Sequence, residues 1–144
     1  MAYDFQVVID AAQPHEQADW WARTLGWAVE EQDEAFIRKM IAEGFAQESD
    51  TTTHHGSLVW KEGAAIRSPD NTRRVLFQAV PEAKVVKNRV HLDIRVPDRA
   101  QAVVDELIAR GATKLHDGQQ GPHTWVTLAD PEGNEFCVAE GRVA

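Results

Sequence analysis

VHLDIRV, Val90 to Val96, alternates strictly between apolar and ionisable side chains, so its two faces can be assigned from the order of residues alone. Val90, Leu92, Ile94 and Val96 form one row, and His91, Asp93 and Arg95 form the other. Period-two alternation is the mark of a half-buried strand, with its apolar row against helices and its polar row toward a cleft or water. DFQVVIDA near the N-terminus repeats the pattern. There Gln6, Val8 and Asp10 alternate with Phe5, Val7 and Ile9, so Gln6 stands where His91 stands and Asp10 where Arg95 stands.

The segments after these two strands also match. VPDRAQAVVDELIARGA reads as a helix with Ala100, Val103, Val104, Leu107 and Ile108 on one stripe, Asp98 as N-cap with Gln101 three residues on, and Gly111 as terminator. AAQPHEQADWWARTLGW reads as its counterpart, with Pro14 in the first turn, Ala18, Trp21, Ala22 and Leu25 on one face, and Gly26 at the end. Short strands follow in both halves: WAVEE, SLVWKE and RRVLFQAV in the first, ATKLHD, HTWVTLAD and EFCVAE in the second, with GQQGP as a turn. The turns SPDN at Ser68 and DPEG at Asp130 occupy equivalent places. The expected architecture is α+β, two βαβββ modules pairing into a concave curved sheet with helices outside. Residues 1–84 form the first module, and residues 85–144 the second, together one compact domain. The first carries an insertion at 33–56: a helix capped by Asp33, with Phe36, Ile37, Met40 and Ile41 on its stripe, and then a polar loop, AQESDTTTHHG.

Composition narrows the functional classes. A chain of 144 residues with 43% hydrophobic content is long enough for one core. A net charge of -8 with scattered Lys and Arg argues against nucleic acid and anionic membrane, both of which demand a basic patch. No apolar run approaches the roughly 20 residues that span a bilayer, and MAYDFQVVID lacks a signal peptide's basic and apolar segments. A lone cysteine, Cys137, excludes an intrachain disulfide and fits a reducing cytoplasm.

Several residues bear chemistry on the faces that point away from the apolar rows. His91 reads either as a metal ligand or acid/base group, or as a cleft histidine held by neighbouring strands. Cys137 reads as a small buried hydrophobe. His123, Trp125 and Thr127 share one side of their strand, and Trp60 lies on another, so both tryptophans are candidates to line a pocket. With Asp10, Asp93 and Glu135 as acids and Arg95 as a partial offset, an aromatic, acidic cleft suits flat or cationic ligands, the alternative being a solvated acidic face. His54 and His55 form a pair in the polar loop, placed there as a lid or as plain surface.

The DPEGNEFCV hairpin at Asp130 to Val138, the VHLDIRV strand and the helix ending RGA before a strand together resemble the glyoxalase, bleomycin-resistance and extradiol dioxygenase superfamily, the vicinal oxygen chelate proteins. LFQAVPEAKVVKNRVHLDIRVPD is closer still to a glyoxalase-like subfamily whose members mostly lack an assigned reaction. The resemblance implies metal ligands from the first and last strand of each module. Carried over, these positions are Gln6, His91, Cys137 and Gln78, the last chosen by aligning LFQAV with EFCVA, while anchoring on the SPDN turn gives Val75 instead. Cys137 stands where the pattern has Glu. With that carboxylate missing, the expectation is a small-molecule-binding protein with no cofactor and a polar, Trp-containing cleft between the two modules; its pocket combines the carried-over Gln6, Gln78, His91 and Cys137 with Asp10, Trp60, Asp93, Arg95, His123, Trp125 and Glu135 read from the polar faces. The second implied reading is a lyase, isomerase or dioxygenase with His91 as catalytic residue and a zinc-like divalent metal. It also implies a homodimer.

Overall fold

The computed structural model describes residues 1–141. The chain divides into two compact units, Met1–Glu82 and Ala83–Ala144, and both are mixed α and β.

The first unit contains β1 (Val7–Ala11), α1 (Pro14–Leu25), β2 (Ala28–Val29), α2 (Glu34–Ala42), β3 (Thr51–His54), β4 (Ser57–Trp60), β5 (Gly63–Arg67) and β6 (Arg74–Ala79). Its main sheet has the order β1-β6-β5-β2, with β1 parallel to β6 and the other pairs antiparallel. Proline at the first position presets φ for α1, and Gly26 ends the helix at φ 69, its N–H donating to the Ala22 carbonyl. Ala18, Trp21 and Ala22 are buried as the spacing predicts, Leu25 is only half-buried, and Trp20 is buried edge-on to Trp21, centroids 5.1 Å apart. α1 lies against β5 and β6, where Ala64, Ile66, Val75 and Phe77 are buried.

The insertion differs from its reading as helix plus loop. α2 is capped by Asp33, which accepts from the Phe36 N–H at 3.1 Å, and buries Ile37 while Phe36 stays exposed. The polar stretch after it is a hairpin: β3 and β4 pair as a separate two-stranded sheet. His55 and Gly56 form its two-residue turn at φ 49 and φ 79, the positive pair that a primed hairpin turn requires. SLVWKE therefore contributes nothing to the main sheet. That place belongs to GAAIR, whose small residues pack tightly where Gly63 meets the Phe77 carbonyl.

The second unit contains β7 (Leu92–Val96), α3 (Ala100–Ala109), β8 (Thr113–Gln120), β9 (His123–Ala129) and β10 (Glu135–Glu140). The sheet order is β7-β10-β9-β8, with β7 parallel to β10, the same topology as the first unit. α3 packs on β10; Val104 and Leu107 of the helix and Leu128, Phe136 and Val138 of the sheet are buried, while Ile108 remains 41% exposed. Three details differ from the expectation. Val90 lies outside β7 and is exposed. Asp98 does not cap α3: Arg99 occupies the cap at φ 56, and Glu140 accepts from the Ala100 N–H at 3.2 Å. GQQ is not a turn, since β8 runs on through Gly118 to Gln120.

The equivalent turns share one device. Asp130 accepts from the Glu132 and Asn134 N–H groups at 2.9 and 3.0 Å. Asp70 accepts from the Thr72 N–H and the Ser68 and Thr72 hydroxyls, which hold its carboxyl down at about 2, the Ser68 hydroxyl first.

Phe136 is 1% exposed beneath α3, and truncating such a ring leaves a cavity. Phe136→Ala is expected to lower stability by about 3–5 kcal/mol in urea unfolding, and a loss under about 1 kcal/mol contradicts this core.

Candidate functional site

β7, β10 and β9 place one row of side chains across the sheet face opposite α3. Cys137 pairs with Asp93 on one side and Thr127 on the other, and the Thr127 hydroxyl lies 3.4 Å from the Cys137 thiol. Alternation adds Arg95 beyond Asp93, and Trp125 and His123 beyond Thr127. His91 sits just before β7, its Nε2 3.4 Å from Asp93 Oδ1. His91, Asp93 and Cys137 each offer a donor atom within 4.8 Å of the others. Imidazole, carboxylate and thiolate together suit a zinc-like ion.

Trp125 supplies the apolar part of this face. It pairs with Gly118, and a Cβ at that glycine would overlap the indole. The ring therefore lies flat along the neighbouring strand, where only glycine leaves room for it. Alternation alone points to Trp125, whereas the composition of GQQGP suggests a turn and hides what Gly118 does.

Glu135 is on the same row but already committed. Lys84 donates to Oε1 at 2.8 Å and the Asn88 N–H to Oε2 at 3.1 Å. The Lys84 ammonium leads in pulling its carboxyl from 4.5 down to about 2. Glu135 is thus a fixed anion that ties the 84–88 segment to the start of β10.

The first unit arranges its equivalents differently. Val75 pairs with Val7 and Ile66, just as Phe136 pairs with Leu92 and Leu128. Leu76 is therefore the counterpart of Cys137, and Gln78 the counterpart of Ala139. Both sequence alignments of this strand miss the register, because the Ser68–Arg73 turn is one residue longer than Asp130–Asn134. Gln78 pairs with Asp10, and both are exposed. The Gln6 amide oxygen accepts from Arg74 Nη1 at 2.8 Å, while Glu30 bridges Arg74 and Arg67 at 2.8 and 2.7 Å. The Arg74 guanidinium lowers the Glu30 carboxyl most. A hydrocarbon at 76 and an amide holding a cation at 6 make a poor donor set for a divalent ion. Trp60 belongs to the inserted hairpin, not to this sheet. Its N–H donates to Gln32 at 2.8 Å, and its carbonyl accepts from His15 Nε2 at 2.8 Å.

The duplicated order of strands, the helix on one face and the polar row on the other agree with a match between residues 6–139 and the model of the glyoxalase-like domain. The chain belongs to the glyoxalase-like domain family. No curated protein matches it. Among solved structures, it is similar to the glyoxalase family protein from Bacillus cereus at a TM-score of 0.61 and 15% identity, covering 97% of this chain and 94% of that one. Similar too is the fosfomycin resistance protein FosX from Listeria monocytogenes, at 0.63 and 4% identity, covering 99% and 96%. A third is a member of the glyoxalase/bleomycin resistance protein/dioxygenase superfamily from Sphaerobacter thermophilus, at 0.57 and 14% identity, covering 98% of each chain. At these identities the likeness is one of fold. Among the described residues of this glyoxalase-like chain, no helix is long and apolar enough to cross a membrane.

Two outcomes follow for the second unit. A carboxyl lowered from 4.5 to about 2 contributes stability that is complete above its unfolded value and lost as pH falls through that window. Lys84→Met should therefore flatten the loss of urea midpoint between pH 4.5 and about 2, and an unchanged acid profile contradicts the pairing. Gly118→Ala should lift the indole off β8 and red-shift tryptophan emission relative to wild type, an effect absent in the Trp125→Phe background. Emission unmoved by the alanine contradicts the close approach.

Proposed function

We propose that this glyoxalase-like protein binds a small organic ligand on the face of the second unit opposite α3, without a metal at the positions the superfamily pattern implies. The flat ligand lies against the Trp125 indole. Arg95, Asp93 and His91 supply the polar contacts at one end, and His123 flanks the other. What carries this reading is the Trp125 ring laid over Gly118 beside a row of ionisable groups, an apolar platform with few convergent polar partners. Leu76 and the Arg74-bound Gln6 support the metal-free part of it. Under the same reading the chain works in the cytoplasm and pairs as a homodimer, as the superfamily resemblance implies.

A second reading has its own support in the cluster of His91, Asp93 and Cys137. It makes the protein a divalent-metal lyase, isomerase or dioxygenase. The metal, held by His91, Asp93 and Cys137, would act as a Lewis acid on a substrate oxygen, with the Thr127 hydroxyl 3.4 Å from the thiol. Thermal shift against a metabolite library, with metal content determined on protein purified without chelator, separates the readings. A compound that raises the midpoint of metal-free protein, and fails to do so for Trp125→Ala, is the expected result. Stoichiometric metal that disappears in His91→Ala overturns the metal-free reading in favour of the second.

A further inference from the structure

The inserted hairpin carries His54 and His55 onto α1 of its own unit, far in sequence from the residues used above. Both imidazoles converge on one carboxylate oxygen: His54 Nε2 and His55 Nε2 each lie 2.7 Å from Asp19 Oδ2. The three donor atoms lie within 4.8 Å of one another. The two imidazole rings are 4.0 Å apart at 47°. Behind them His15, one turn before Asp19 on α1, sits 5.1 Å from the His54 ring, itself anchored by its Nε2–H to the Trp60 carbonyl. Next to this cluster a cleft of about 300 Å³ opens between α1 and β3, lined by His15, Thr52, Thr53, His54 and Lys61.

We propose that Asp19, His54 and His55 form a binding site for a divalent transition metal of the zinc type. Zinc takes imidazole nitrogen at about 2.0–2.1 Å and carboxylate oxygen at about 2.0–2.2 Å. Three donors already gathered this closely need only small side-chain rotations to surround one ion. Two imidazoles and a carboxylate select zinc, cobalt, nickel or copper over magnesium and calcium, which prefer oxygen. Three protein ligands leave a fourth position for water or a ligand in the adjoining cleft. The exposures grade as an entry path: His55 is 75% exposed, Asp19 34% and His54 19%, so the ion arrives from solvent at His55 and settles toward the more sheltered His54. The geometry of the backbone serves the same end. The primed turn at His55 and Gly56 points two consecutive residues at one acceptor, which a regular strand would send to opposite faces. The site is independent of the ligand face in the second unit and uses none of its residues.

Titrating metal-free full-length protein with cobalt and with zinc tests this. Calorimetry and cobalt absorption in the visible are the readouts. The expected result is an equivalent of metal bound with cobalt bands of low coordination number and no thiolate charge-transfer band, and at least tenfold weaker binding of that equivalent in Asp19→Asn and in His55→Gln. His55→Gln alters a mostly exposed side chain, so circular dichroism and the thermal midpoint verify that its fold is intact. Cobalt that binds as tightly to both variants as to wild type overturns the proposal. So does cobalt whose only bound equivalent shows a thiolate charge-transfer band that vanishes in Cys137→Ser, which assigns the metal to the second unit. No binding at up to about ten times the metal concentration that saturates a two-histidine peptide control also overturns it.

Discussion

Parallel pairing between the first and last strand of each unit is the constraint from which the candidate site follows. Parallel neighbours cannot be joined by a tight turn, so the chain must cross over. Here the crossover is a helix followed by two antiparallel strands, and the helix takes one face of the sheet. The register Leu92 to Phe136 and Asp93 to Cys137 then decides everything on both faces. Phe136 and Val138 go under α3, and Cys137 goes to the opposite side beside Asp93 and Thr127. A slip of one residue would exchange those two sets.

The same scaffold carries different chemistry in its two copies. The row in the second unit combines imidazole, carboxylate, thiol, guanidinium and a flattened indole. Its counterpart in the first unit offers Val8, Asp10, Leu76 and Gln78, with Gln6 bound to Arg74. What the first unit lacks on its sheet, it gains beside it, where the inserted hairpin brings His54 and His55 onto Asp19 of α1, with His15 behind the His54 ring. Glu135, although it faces the row, serves structure: Lys84 and Asn88 occupy both of its oxygens.

The modules are legible because alternation and helical spacing are strong where one face is buried, as in LDIRV, AVVDEL and the Trp21 stripe. Three features are not. TTTHHGS shows no apolar alternation, since both faces of β3 are polar, so it reads as a loop; the Thr run and the His-Gly dipeptide are the hairpin signals present. GAAIR escapes notice because alanine and glycine have low strand propensity, yet the close packing at Gly63 and the buried Ala64 and Ala65 require small residues. Gln78 is misplaced because local likeness between LFQAV and EFCVA outweighs a turn one residue longer. Of the site, the polar row can be written down from period two. The partners that tie up Glu135 and Gln6, and the approach of Asp19 to the histidine pair, are tertiary facts that no local pattern encodes.

Backbone amide and indole NMR spectra of isotopically labelled protein, recorded with a compound that raises the thermal midpoint, put the ligand face of the second unit to its sharpest test. Shifts are expected to concentrate at the Trp125 indole N–H and at the amides of Asp93, Arg95, Gly118 and Cys137. Shifts that leave those resonances in place and cluster on other residues contradict that assignment.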